Sequence, residues 1–154
     1  MKYTDTAIVF SEFPNEISLA INISNCPCHC IGCHSAYLAN DIGSELNKDV
    51  LKELIIKNDG ITCVGFMGGD ASPSIVNELA EFVKDEFPKL KTGWYSGRDF
   101  LSDKIDIDNF NFIKLGPFIP EHGPLNNKNT NQRFYKIIDG NLIDSTNLFW
   151  KKKV

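Results

Sequence analysis

The sequence lacks the features that would indicate a membrane, secreted or nucleic-acid-binding protein. No apolar stretch approaches the roughly 20 residues that cross a bilayer, and Met1 to Asp5 lack the long apolar segment of a secretory signal. The chain carries 16 Lys and Arg against 20 Asp and Glu, a net charge of −4, and it has no sustained basic stripe. We therefore expect a soluble, cytoplasmic protein with no membrane contact and no nucleic acid partner.

The sequence also lacks an internal repeat, a low-complexity segment and the length for two domains. Its 154 residues fit one domain with its own hydrophobic core. We therefore predict a single domain that covers residues 1–154.

Cysteine is scarce except in one short loop. Four of the five cysteines lie between Cys26 and Cys33, and Cys63 stands alone in an apolar run. Since an extended residue spans at most about 3.3–3.6 Å, the sulfurs of Cys26, Cys30 and Cys33 can converge on one inorganic group. Clustered cysteines in a reducing compartment are more often metal ligands than disulfides. The sequence therefore predicts a metal centre in this loop and a small buried apolar role for Cys63.

Two kinds of metal centre have to be weighed. A structural zinc site with four cysteines usually draws them as two separated pairs, whereas here all of them lie in one loop. An iron–sulfur cluster is held by cysteine thiolates, and three ligands on four irons would leave one iron open to a substrate. The spacing favours a cluster, but it does not choose three ligands among the four loop cysteines or exclude His29 and His34.

The apolar pattern predicts strands that alternate with helices. The predicted strands are 6–10, 16–23, 61–66, 90–95 and 110–115, followed by a terminal hairpin of 134–138 and 142–143 across Asp139-Gly140. One helix is predicted after the N-cap Asn47, and a second from Ser72-Pro73 to Phe87. Such alternation is typical of an α/β fold with a largely parallel sheet. The apolar residues of 116–132 follow neither the period of a helix nor that of a strand, so this segment is predicted to be a loop. A loop that long is usually functional or mobile.

The cysteine spacing resembles the signature of the radical S-adenosylmethionine enzymes. In that superfamily three cysteines bind a [4Fe-4S] cluster, and S-adenosylmethionine chelates the fourth iron. The resemblance implies that Cys26, Cys30 and Cys33 are the ligands and that Cys28 is an extra cysteine.

Two strand ends extend the resemblance. Gly68-Gly69-Asp70 is similar to the superfamily's Gly-Gly-Glu stretch, whose backbone lines the methionine amino group, with Asp in place of Glu. Glycine lets the backbone approach a ligand closely, and ligands of open α/β sheets lie beyond the carboxyl ends of the strands. The resemblance therefore implies that Gly68, Gly69, Asp70 and Ser96 contact S-adenosylmethionine.

Further stretches resemble the family of activating proteins of the anaerobic ribonucleoside-triphosphate reductase. They are the Cys-Ile-Gly-Cys-His form of the cluster loop, residues 94–97, residues 113–116 and above all Thr130-Asn131-Gln132-Arg133. The resemblance implies an enzyme in which a reduced cluster gives one electron to S-adenosylmethionine. The resulting 5′-deoxyadenosyl radical takes hydrogen from a glycine of the large reductase subunit. It also implies an electron donor such as flavodoxin, cofactor binding by Arg133, and no catalytic residue beyond cluster and cofactor.

The fold that the resemblance implies is an open, curved, mostly parallel partial (β/α) barrel, because a closed barrel of eight units needs about 200 residues or more. Its gap would admit a loop of the reductase, with residues 116–133 beside it. Two alternatives stay open. One is a small-molecule radical enzyme similar to 7-carboxy-7-deazaguanine synthase, and the other is a non-catalytic iron–sulfur or zinc protein.

Overall fold

One sheet of eight strands dominates the computed structural model, which describes residues 1–33 and 35–150. The strands are β1 Lys2–Val9, β2 Ser18–Ile23, β3 Ser44–Glu45, β4 Cys63–Met67, β5 Lys91–Tyr95, β6 Phe112–Leu115, β7 Arg133–Ile138 and β8 Asn141–Asp144. The helices are α1 Lys48–Lys57 and α2 Pro73–Glu86. No helix within the described ranges is long and apolar enough to cross a membrane.

The sheet is mixed, with the order β3-β1-β2-β4-β5-β6-β7-β8. The three pairings among β2, β4, β5 and β6 are parallel, and the four outer pairings are antiparallel. The predicted mostly parallel partial (β/α) barrel is therefore wrong. Parallel neighbours need a crossover, usually a helix, but residues 10–17 and 116–132 contain no α-helix and return the chain antiparallel on both sides.

Several local predictions are confirmed. Asn47 caps α1, because its side-chain oxygen accepts a hydrogen bond from the Val50 N–H at 2.9 Å. Pro73 is the first residue of α2. The terminal hairpin turns at Asp139-Gly140, where both residues have positive φ, as a tight hairpin turn requires. Short-range sequence patterns thus placed these elements correctly.

The two faces of the sheet are covered differently. Alternate residues of β2, β4, β5 and β6 pack with α1 and α2 in the main core. On the other face lies the ring of Phe13, which is 0% exposed. It rests on Gly65 and Gly93, where a Cβ would come within 2.4 and 2.1 Å of the ring. Phe13 lies in the connection between the predicted strands 6–10 and 16–23, and this connection supplies the centre of the second core.

Candidate metal centre and adjoining cavity

The cysteine loop leaves the carboxyl end of β2 and is closed at its base by backbone hydrogen bonds. The Cys26 N–H donates to the Leu38 carbonyl at 2.8 Å, and within the loop the Cys33 N–H donates to the Cys30 carbonyl at 3.2 Å. All four loop cysteines are free, half-buried thiols. The loop therefore presents its thiols from a closed base beside the sheet.

The donor chemistry of this loop fits an iron–sulfur cluster. Within residues 1–33 and 35–150, no three His, Cys, Asp or Glu side chains are placed to hold a single metal ion. A cluster is held by thiolates on separate irons, so its ligands need not converge on one atom, and free half-buried thiols meet that need. The choice of Cys26, Cys30 and Cys33 stays a prediction. His29 is exposed, and His34 lies outside the described residues.

Cys28 has a different environment from a free thiol in solvent. Its S–H donates to Asp70 Oδ2 at 3.5 Å, and its sulfur lies so close to Gly97 that a Cβ there would be 2.8 Å away. Burial, followed by the charge of Asp70, raises the pKa of Cys28 to about 12. Cys28 thus connects the cysteine loop to the ends of β4 and β5.

Asp70 joins three parts of the chain in what we call the Asp70 network, formed with Cys28, Ser96 and Gly97. The Ser96 hydroxyl donates to Asp70 Oδ1 at 2.5 Å, and the Gly97 N–H donates to Oδ2 at 2.8 Å. The structure thus brings two predicted site residues, Asp70 and Ser96, into direct contact. Because both carboxylate oxygens already accept hydrogen bonds, Asp70 fixes the cysteine loop against the strand ends.

The glycine pair before Asp70 is required by packing. Gly68 and Gly69 have φ of 111° and 99°, which side chains rarely adopt. A Cβ on Gly69 would lie 2.5 Å from Val76 at the start of α2, and one on Gly68 would lie 3.2 Å from the Ile23 carbonyl. The turn itself therefore needs glycine at both positions, with or without a ligand.

Arg133, the remaining predicted site residue, contacts the hairpin. Its Nη1 lies 3.5 Å from Asp144 Oδ2 on β8. Burial alone would raise the pKa of Asp144, but hydrogen bonds from Thr146 and the Arg133 guanidinium bring it below its usual value. This ion pair leaves Arg133 apart from the contacts of the Asp70 network.

Lys114 is a site residue that sequence reasoning missed. It lies on β6, is 8% exposed, and donates to the carbonyls of Ser96 and Gly116, both at 3.0 Å. Its Nζ stands 5.5 Å from the centre of the Tyr95 ring. Burial lowers the pKa of Lys114 to about 8, whereas the nearby Asp70 and loop cysteines act in the opposite direction. A buried ammonium group thus adjoins the cysteine loop.

A sequence pattern could have revealed Lys114. It is the one charged residue in the predicted strand 110–115, whose other members are apolar or Asn. Charged residues are almost never fully buried unless they are paired. A lysine inside a buried strand is therefore a candidate functional residue, even without a motif.

A cavity of about 770 Å³ opens on the face of the sheet that carries Phe13. Cys33 and Lys114 line it, so the cavity reaches the cysteine loop. One wall comes from the long segment 116–132, and Gly32 of the cysteine loop packs beside Phe118 of that segment. The remaining walls come from the β1–β2 turn and the residues after β8. This cavity connects the thiol of Cys33 with the surface.

Comparison with known proteins identifies one family. Residues 17–119, about two thirds of the chain, match the family model described as a 4Fe-4S single cluster domain. The matched range includes the cysteine loop, the Asp70 network and Lys114. No curated protein and no solved structure matches the chain.

Proposed function

This chain belongs to the 4Fe-4S single cluster domain family. From the resemblance of its cysteine loop and from the cavity beside that loop, we propose that it is a radical S-adenosylmethionine activase. When bound, the cluster supplies the electron that cleaves S-adenosylmethionine and so starts glycyl-radical formation on an anaerobic ribonucleoside-triphosphate reductase. Cys26, Cys30 and Cys33 hold the cluster, and the Asp70 network positions their loop. An external protein such as flavodoxin delivers the electron.

The observation that carries the proposal is the cavity beside the cysteine loop. Its volume of about 770 Å³ falls in the range of small-molecule sites, roughly 300–1,000 Å³. Tyr95, Leu125 and Phe149 give it apolar walls, and such walls limit the access of water to a reactive centre. The cavity supports entry of both the cofactor and a segment of a partner protein.

The proposal does not depend on the barrel that the structure contradicts. Function follows from the chemistry of a site, and one chemistry recurs on different folds. The elements required here are a cluster loop, strand ends fixed against it and an open face. The parallel centre of the mixed sheet places the ends of β4 and β5 beside the cluster loop. The loop itself follows β2, and the cavity opens on the face that carries Phe13.

The test is anaerobic reconstitution with iron and sulfide, followed by reduction and addition of S-adenosylmethionine with and without the reductase. We expect 5′-deoxyadenosine in both cases, and a glycyl-radical resonance on the reductase when it is present. The variant Cys30→Ala should give neither product, whereas the matched control Cys63→Ala should give both.

Two outcomes would contradict the proposal. Cleavage of S-adenosylmethionine that never yields a glycyl radical would favour a small-molecule radical enzyme. A stable cluster whose spectrum does not respond to S-adenosylmethionine would favour a non-catalytic iron–sulfur protein.

A further inference from the structure

Lys114 is a buried positive charge that forms no direct ion pair in the described part of the chain, although the charge of Asp70 acts on it from a longer distance. In the part of the chain that the structure describes, no carboxylate oxygen lies within 4.0 Å of its Nζ. Two of its three N–H donors are satisfied by the carbonyls of Ser96 and Gly116. Hydrogen bonds to carbonyls satisfy the donors but do not neutralise the charge.

The burial of such a charge costs free energy unless another charge compensates it. The neighbours of Lys114 on its face of the sheet are Phe112, Tyr95 and Phe134, so an apolar residue would suit this position by packing alone. The fold therefore does not explain the positive charge. A compensating negative group is missing from the described contacts.

The position of Lys114 indicates what that group is. Its Nζ is fixed to the Ser96 carbonyl, one residue before Gly97, which packs against Cys28. It lines the same cavity as Cys33. Asp70, and after it the loop cysteines Cys30, Cys28 and Cys33, lie near enough to act on its pKa. The Asp70 carboxylate already accepts the hydrogen bonds of its own network. The cysteine loop is thus the thiol-rich neighbour of this ammonium group.

We propose that Lys114 is the counter-charge of the cysteine loop and compensates the thiolates that hold the cluster. Thiolate, not thiol, is the metal ligand, so a loaded loop carries several negative charges. A fixed positive charge nearby favours both the thiolates and the more electron-rich state of the cluster, because cluster potentials depend on net charge. Through its charge, Lys114 therefore raises the reduction potential of the cluster.

This inference rests on the cluster of the family and not on S-adenosylmethionine chemistry, so its test omits that cofactor. The variants are Lys114→Met, which keeps length without charge, and Lys114→Gln, which keeps a donor. The reconstituted proteins are titrated against redox dyes of known potential. We expect each variant to bind iron more weakly and to show about a tenfold lower ratio of reduced to oxidised cluster at fixed potential, or about 59 mV.

The matched control is Lys91→Met, which removes a lysine at the opposite end of the neighbouring strand. It should leave the reduction potential and the iron content unchanged. Unchanged iron content and potential in both Lys114 variants would overturn the proposal. So would loss of the fold of both metal-free variants, judged by circular dichroism, because the fold itself would then need the ammonium group.

Discussion

The two ends of the parallel strands each hold a lysine, but the two lysines have different partners. At the amino end, Lys91 Nζ lies 2.6 Å from Glu16 Oε1, and the Thr62 hydroxyl donates to Glu16 Oε2. At the carboxyl end, Lys114 contacts only carbonyls and the face of an aromatic ring among its described neighbours. The lysine at the amino end thus has a direct ion-pair partner. The lysine at the carboxyl end has none in the described part of the chain, and Asp70 acts on it only from a longer distance. The difference indicates that one end stabilises the fold and the other holds a ligand.

The largest effect should come from the cluster ligands at the carboxyl end. Separate replacement of Cys26, Cys30 and Cys33 by Ala should abolish iron binding, because each removes a thiolate that the cluster requires. Cys28→Ala should retain the iron, because its sulfur is engaged with Asp70. Iron and sulfide analysis of the four variants measures this. If replacement of Cys28 by itself caused loss of iron, the assignment of ligands would be overturned.

A second large difference should appear in thiol reactivity. Cys63, at the amino end of β4, is 0% exposed, and burial raises its pKa from 9.0 to about 12. Its thiolate fraction is thereby about 1,000-fold lower, so Cys63 should react with an alkylating reagent only after unfolding. Cys33, half-buried and lining the cavity, should react in the folded, metal-free protein. Mass spectrometry of timed samples measures both, and rapid labelling of Cys63 would show that the amino end is open.

A moderate loss of stability should follow a change in the amino-end pair. Glu16→Gln keeps the shape of the side chain but removes the charge that faces Lys91. The buried hydrogen bonds to a charged acceptor should weaken, and the free energy of unfolding should fall by about 1–3 kcal/mol. Urea unfolding of the metal-free protein measures this change. The spectrum of the reconstituted cluster should be unaltered, and a changed spectrum would contradict the separation between the two ends.

The smallest effect should come from Asp144, which pairs with Arg133. The size of this effect tests whether Arg133 stabilises the fold, like Lys91, or serves the site, like Lys114. Its pKa is lowered in the folded state, so its contribution to stability is present above the unfolded value of 3.8 and is lost as the pH falls through the folded value. Asp144→Asn should cost about 0.5 kcal/mol at neutral pH and nothing in strong acid. Urea unfolding at several pH values measures this, with Asp103→Asn as an exposed control. A loss of cluster-dependent activity in Asp144→Asn would instead place Arg133 in the site.

Local patterns in the sequence were enough to predict most of the elements. The spacing of apolar residues located the helices, and Asn47 and Pro73 marked their starts because capping depends on a few adjacent residues. The cysteine spacing likewise predicted a cluster loop, which the family match supports. Features that depend on residues close together in the sequence can therefore be predicted without a structure.

Features that depend on distant partners were not predictable in the same way. The direction of the outer strands is decided by pairing across residues 10–17 and 116–132, and neither segment carries a pattern that fixes its return. The strand that contains Lys114 was predicted, but only the register of β6 with β5 shows that its side chain shares a face with Tyr95. The roles of Gly65 and Gly93 depend on the ring of Phe13, which lies far away in sequence.

The contact of Phe13 with Gly65 and Gly93 also restricts how the sequence can diverge. Any side chain at position 65 or 93 would overlap the ring, so neither glycine can be replaced while the phenylalanine is present. A smaller residue at position 13 must come first, and it would leave a void until one of the glycines changed. The three positions therefore form one evolutionary unit in which the order of substitutions is fixed.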